Sequence, residues 1–179
     1  MTHVAYAGEA SVKADPWHIA ASLLGGGLTA AAEQALSAAA AAYHDEALAL
    51  ALLERAEVLA PGHPAVRIGL YRFYFYKNRL AEALGVARSC LVDAARVLGL
   101  PADWRQARHG STALSGYDDL LGRFYLFSLR AYGYLLLRLG QLQEGRAALA
   151  KMLELDPDDR LGAALLLGVL TRHEHGDDD

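Results

Sequence analysis

Apolar positions in the second half of the chain recur at helical spacing. Leu129, Tyr132, Gly133 and Leu136 fall three and four residues apart and mark one helix, and Gly145, Leu149 and Met152 mark the next, with Gly140 between them. The unit spans 126–159. It closes on Glu154-Leu155-Asp156-Pro157-Asp158-Asp159, where Pro157 cannot continue a helix and enforces a turn. The same frame set on Pro61 gives a unit over 30–63, with Ala49, Leu53 and Ala56 at the packing positions of its second helix. A unit over 64–97 follows, with Leu70, Tyr74, Ala83, Ala87 and Cys90 at the equivalent sites. Paired antiparallel helices approach closely only where a small residue sits at the crossing, which explains the Ala and Gly at these positions.

Between the second and third units, residues 98–125 break the register. Leu98-Gly99-Leu100-Pro101-Ala102-Asp103-Trp104 reads as a helix end and turn, and 105–116 as a polar loop containing Gly and Ser. Ser115 with Asp118 three residues on resembles a capping pair, so a long helix is predicted to restart near Gly116 and run into the third unit. Residues 1–29 form an N-terminal segment with one helix, started by Asp15-Pro16 and stopped by Gly25-Gly26-Gly27. After the repeats, 160–173 is predicted as an apolar helix covering the last unit, and 174–179 as an acidic tail. Ala and Leu dominate and β-branched residues are sparse, so propensity summed over long windows also favours an all-α protein.

Charge and cysteine content narrow the function classes. Acidic residues number 21 against 17 basic, and three of the acids are the terminal Asp177 to Asp179, so the body is nearly neutral. Neither a basic excess nor a Lys/Arg cluster is present, which argues against nucleic acid as a partner. Cys90 is the single cysteine, so no internal disulfide forms and a reducing cytoplasm is expected. Residues 1–15 lack the basic start and apolar run of a signal peptide, and no stretch approaches the roughly 18 consecutive apolar residues of a spanning helix, so no membrane role is expected.

The period, the small residues and the closing prolines resemble the tetratricopeptide repeat, a 34-residue helix-turn-helix unit. Tyr71, where that family usually has Gly or Ala, and Glu33 and Ser37 in the first unit, depart from its pattern. The resemblance implies three helical hairpins in a right-handed superhelix over 30–173, with an N-terminal helix and a C-terminal capping helix. The Tyr71-Arg72-Phe73-Tyr74-Phe75-Tyr76 run, the 98–105 turn and Asp156-Pro157-Asp158-Asp159-Arg160-Leu161-Gly162-Ala163 extend it. From about Ala47 onward the chain looks like the small tetratricopeptide proteins associated with bacterial nitrogen-fixation (nif) gene clusters. That implies a non-enzymatic accessory or chaperone-like factor that engages nitrogenase or its maturation proteins.

In such an array the first helices line a concave groove. The frame assigns to it Ile68, Arg72, Phe75 and Tyr76 from the second unit and Phe127, Arg130, Tyr134, Leu137 and Arg138 from the third. The first unit offers only Gln34 and alanines including Ala38, Ala41 and Ala42, a shallow apolar stretch. Arginine and aromatic side chains dominate binding energy at protein interfaces, which points to a protein partner. Five consecutive aromatics from Tyr71 to Tyr76, interrupted by Arg72, cannot all face inward; Tyr74 reads as packing, Phe75 and Tyr76 as contacts.

Other chemistry is thin. Arg105, Arg108 and His109 could grip an anion and form a secondary candidate surface. His173 and His175 with the terminal aspartates carry metal-ligand atoms on a tail without fixed geometry, so no metal is expected. Cys90 occupies a small buried repeat position and reads as inert packing. Gly25-Gly26-Gly27 lacks the Gly-Lys-Ser/Thr of a phosphate loop, and neither a catalytic site nor a cofactor is expected. A three-repeat secretion chaperone is similar in size but is a continuous array, without the 98–125 insertion; a generic scaffold is the other alternative. Self-association through the apolar terminal helices stays open.

Overall fold

The computed structural model describes residues 27–110 and 120–176, with side chains as far as Val169. The expected helix at Asp15-Pro16, the Ser115–Asp118 capping pair and the last three aspartates lie outside the described residues. Among the described residues seven α-helices follow one another: α1 (Ala30–Ala41), α2 (Glu46–Leu59), α3 (Pro64–Tyr76), α4 (Leu80–Leu98), α5 (Leu120–Arg138), α6 (Leu142–Leu155) and α7 (Ala163–Gly176). One 3-10 turn, Trp104–Gln106, lies between α4 and α5, and no strand occurs among the described residues. Consecutive helices pack on each other throughout, as the all-α reading requires.

The starts follow from capping chemistry. Thr29 Oγ1 accepts the Ala32 amide at 3.2 Å, Asp45 Oδ1 the Leu48 amide at 3.0 Å, and His63 Nδ1 the Ala65 amide at 3.2 Å ahead of Pro64 in the first turn. Asp159 caps α7 with both oxygens, on the amides of Ala163 (2.6 Å) and Ala164 (3.2 Å).

The ends are equally legible. α2 stops at Leu59 and α6 at Leu155, each two residues before a proline. The second pair carries Ala95 at the position that Pro61 occupies in the first, and α4 accordingly runs on to Leu98. It is stopped there by Gly99 in the left-handed region (φ 66°), with the Leu100 amide donating to Ala95 O at 2.8 Å. The turns inside the second and third pairs are built alike, on Asn78 (φ 58°) and Gly140 (φ 78°).

Two segments differ from expectation. The turn ending at Trp104 and the start of the polar loop from 105 are partly structure: Asp103 caps the 3-10 turn, Trp104 is 7% exposed and Ala107 fully buried, so this stretch plugs the core between α5 and α6. Lys151 Nζ donates to Ala107 O at 3.3 Å and pins it to α6. The capping helix also begins later than 160, because Asp156-Pro157-Asp158-Asp159-Arg160-Leu161-Gly162 is spent on the turn, with Asp156 Oδ2 accepting the Arg160 amide at 2.9 Å. It continues beyond 173 to Gly176, with no proline in its length.

Helix pairing is closest between α5 and α6. A Cβ built on Gly145 would sit 2.5 Å from Leu137 Cδ2 and 2.9 Å from the Gly133 carbonyl oxygen, and one on Gly133 would sit 3.0 Å from Leu149 Cγ. Gly85, exposed in the middle of α4, has nothing within 4 Å of such a Cβ. Gly145→Ala is therefore expected to cost about 1–3 kcal/mol through overpacking against backbone. Gly85→Ala should add about 0.5–1 kcal/mol through helix propensity. Urea unfolding of both variants checks the opposite signs.

Candidate functional site

The aromatic run on α3 divides as helical geometry demands. Tyr71 and Phe73 are buried, Tyr74 is half-buried with the Arg79 guanidinium 4.9 Å from its ring centre, and Tyr76 is 61% exposed. Tyr71 stacks on Phe75 with ring centres 5.8 Å apart, and Phe75 meets Tyr134 across from α5 at 6.1 Å. That last contact joins the exposed stripe of α3 to that of α5.

Between those stripes lies a cavity of about 430 Å³. Arg72, Phe75, Tyr76, Phe127, Arg130 and Tyr134 line it together with Tyr71, Ala131 and, from α7, Leu166. Six of the nine groove positions read from the sequence thus share one concavity. Arg138 stands at its end: it is exposed, donates to the Tyr134 hydroxyl at 2.9 Å and lies 5.8 Å from that ring centre.

Two groove positions lie outside this cavity. Ile68 is 2% exposed, packed in the core that Phe124, Tyr125 and Leu126 of the first turns of α5 join, and lines a neighbouring cavity between α1 and α3. Leu137 turns away from the cavity and lies over Gly145 of α6, filling the hollow that the missing side chain leaves. Tyr71, singled out in the sequence only as a departure from the repeat it resembles, is 8% exposed and lines this cavity.

A second cavity, of about 480 Å³, adjoins the first between α1 and α3. Its walls are Leu36, Ala39, Ala40, Tyr43, Leu53, Ala65, Ile68, Gly69 and Phe73, and it shares Arg72 and Tyr76 with the first. The sequence reading of a shallow apolar stretch named Gln34, Ala38, Ala41 and Ala42, none of which lines it; Ala39 and Ala40 take that part, and Leu36 and Tyr43 deepen it.

Two of the three insertion residues singled out in the sequence are engaged. Arg105 pairs with Glu144 of α6 and with Asp103, and its guanidinium lies 4.3 Å from the Trp104 ring centre. His109 Nδ1 lies 3.1 Å from Leu155 O, while Arg108 is exposed. These contacts tie the 3-10 segment to α6. Arg67 similarly pairs with Asp93 and lies 3.9 Å from Glu57, bridging α2, α3 and α4.

Among the described residues no three His, Cys, Asp or Glu side chains come together as a metal-binding group, and no helix is long and apolar enough to cross a membrane. The side chains of His173 and His175 lie outside the described ones.

Burial pushes the Cys90 thiol and the Tyr71 hydroxyl each up to about 12, with the Arg67 and Arg130 charges respectively pulling the other way. Groups held protonated by burial contribute stability that is complete below their unfolded values and is lost as pH rises toward the folded ones. Thermal stability should therefore decline above about pH 9, where an unfolded thiol ionises, and Cys90→Ala should remove the first part of that decline. In the folded protein at pH 8, Cys90 should resist a thiol reagent that labels it rapidly in urea.

The chain is 47% identical over 123 residues, 68% of each protein, to an "uncharacterized 19.8 kDa protein in nifW 5'region" of Azotobacter chroococcum mcd 1. No family model and no solved structure matches the chain.

Proposed function

The chain belongs to the family of that Azotobacter protein, and from this premise we propose that it is a cytoplasmic, non-enzymatic accessory factor of nitrogen fixation that binds a protein partner through the concave faces of α3 and α5. The partner class is nitrogenase or the proteins that mature it, and the scaffold is of the tetratricopeptide type. In support of that scaffold, Ala49, Leu53 and Ala56, then Ala83, Ala87 and Cys90, then Gly145, Leu149 and Met152 are the buried seams of three successive second helices in one register.

The observation that carries the reading is the cavity between α3 and α5. Two arginines and five aromatic side chains line it, a composition typical of interface hot spots. Its walls come from rigid helices, so little ordering is required on binding.

The test is affinity capture from nitrogen-fixing cells with the full chain, followed by titration of the recovered partner. Arg72→Ala, Tyr76→Ala, Arg130→Ala, Tyr134→Ala and Arg138→Ala should weaken the complex by about 1–3 kcal/mol at the strongest positions. Melting temperatures should stay near native, because none of the five side chains belongs to a core cluster. Native affinity in all five variants, with binding abolished by Arg105→Ala, Arg108→Ala or His109→Ala, would move the working surface to the insertion. Recovery of secreted substrates in place of nitrogenase or maturation proteins would favour a secretion chaperone.

A further inference from the structure

The concave face holds two different cavities side by side. The one between α3 and α5 is cationic and aromatic, with Arg72 and Arg130 among its lining residues. The one between α1 and α3 is walled by Leu36, Ala39, Ala40, Leu53 and Phe73 and is mainly apolar. Arg72 and Tyr76 line both and stand at the junction. No described residue lining either cavity is acidic.

Arg130 supplies the decisive asymmetry. Its Nε is buried and has no hydrogen-bond partner among the described residues. A buried donor of this kind is costly unless something accepts from it. A carboxylate is the acceptor whose geometry matches the planar fork. Both cavities fall in the roughly 300–1,000 Å³ range of ligand sites.

Resting on the groove reading above, we propose that the two cavities form one bipartite site for an extended segment of the partner protein that carries an acidic side chain beside a large apolar one. The carboxylate pairs with Arg130 in the cavity between α3 and α5. The apolar side chain fills the cavity between α1 and α3, and the segment crosses over Arg72 and Tyr76. A lone small anion would use only the first cavity, and a purely apolar segment would leave the Arg130 donor unmet. The juxtaposition of the two therefore specifies a peptide of mixed chemistry.

The experiment uses the full chain on an immobilised array of eight-residue peptides in which Asp, Asn, Leu and Ser are permuted. Wild-type protein should retain peptides holding Asp and Leu within a few residues of each other, and added salt should weaken retention. Arg130→Gln should reduce the preference for Asp over Asn by about tenfold while leaving the preference for Leu over Ser in place. Arg130→Lys should keep part of the Asp preference. Ala40→Trp, at an exposed wall position of the apolar cavity, should do the reverse of Arg130→Gln, and melting curves of all three variants should match the parent.

Equal retention of Asn and Asp peptides, an Arg130→Gln variant with unchanged preference, or saturation by free acetate regardless of the apolar residue would overturn the bipartite site. In each case the groove reading would still stand if the alanine variants above weakened partner capture. Failure to select any peptide, together with native partner capture by those same variants, would overturn both.

Discussion

The close approach of α5 and α6 at Gly133 and Gly145 is the constraint on which the cavity between α3 and α5 depends. With the Gly133 carbonyl oxygen 2.9 Å from where a Cβ on Gly145 would stand, α5 has almost no freedom to roll on α6. Helical periodicity then does the rest. Once Gly133 faces α6, Phe127, Arg130, Ala131 and Tyr134 fall on a different stripe, the one turned toward α3. Phe75 contacts Tyr134 across the gap, and the buried cluster of Tyr71, Ala83, Ala87, Ala131 and Leu135 locks α3, α4 and α5 beneath it. The cavity is thus a product of the packing behind it.

Electrostatics follows the same division. Cations away from the concave face are joined to neighbours that hold elements together: Arg67 to Asp93 and Glu57, Arg105 to Glu144 and Asp103, Arg79 to Glu46 and Glu82. Exposed pairs of this kind contribute at most about 1 kcal/mol each, so their value lies in orientation more than in stability. Arg130 differs, since its buried Nε has no acceptor among the described residues and its cavity holds no lining acid. A near-neutral protein can therefore present a locally cationic recess without any cluster visible in its composition.

What the amino-acid pattern made legible was whatever depends on local chemistry. Prolines ended α2 and α6, and Gly99 ended α4 where Ala95 replaced the proline. Six of the residues assigned to the groove line one cavity because they sit at fixed helical offsets from the packing positions. What stayed hidden depends on contacts between distant segments. Ile68 and Leu137 occupy outward offsets, yet Ile68 is packed against α5's early turns and lines the neighbouring cavity, and Leu137 lies half-buried in the hollow over Gly145. Trp104 lay at the end of a Gly- and Pro-containing turn, and only docking against Tyr132 and α6 reveals it as part of the core. The alanine-rich α1 gave no periodic contrast, so the register of its exposed face was read one position away from Ala39 and Ala40.

Site-specific photocrosslinking in nitrogen-fixing cells tests the central claim most directly. A photoreactive phenylalanine analogue in place of Tyr76, which is exposed at the junction of the two cavities, should capture a discrete nitrogenase or maturation protein. The same analogue in place of Val58, 78% exposed on α2 and lining neither cavity, should not. Capture of that protein from Val58 and none from Tyr76 would contradict the account, because the partner would then be seated away from the face that the α5–α6 packing builds.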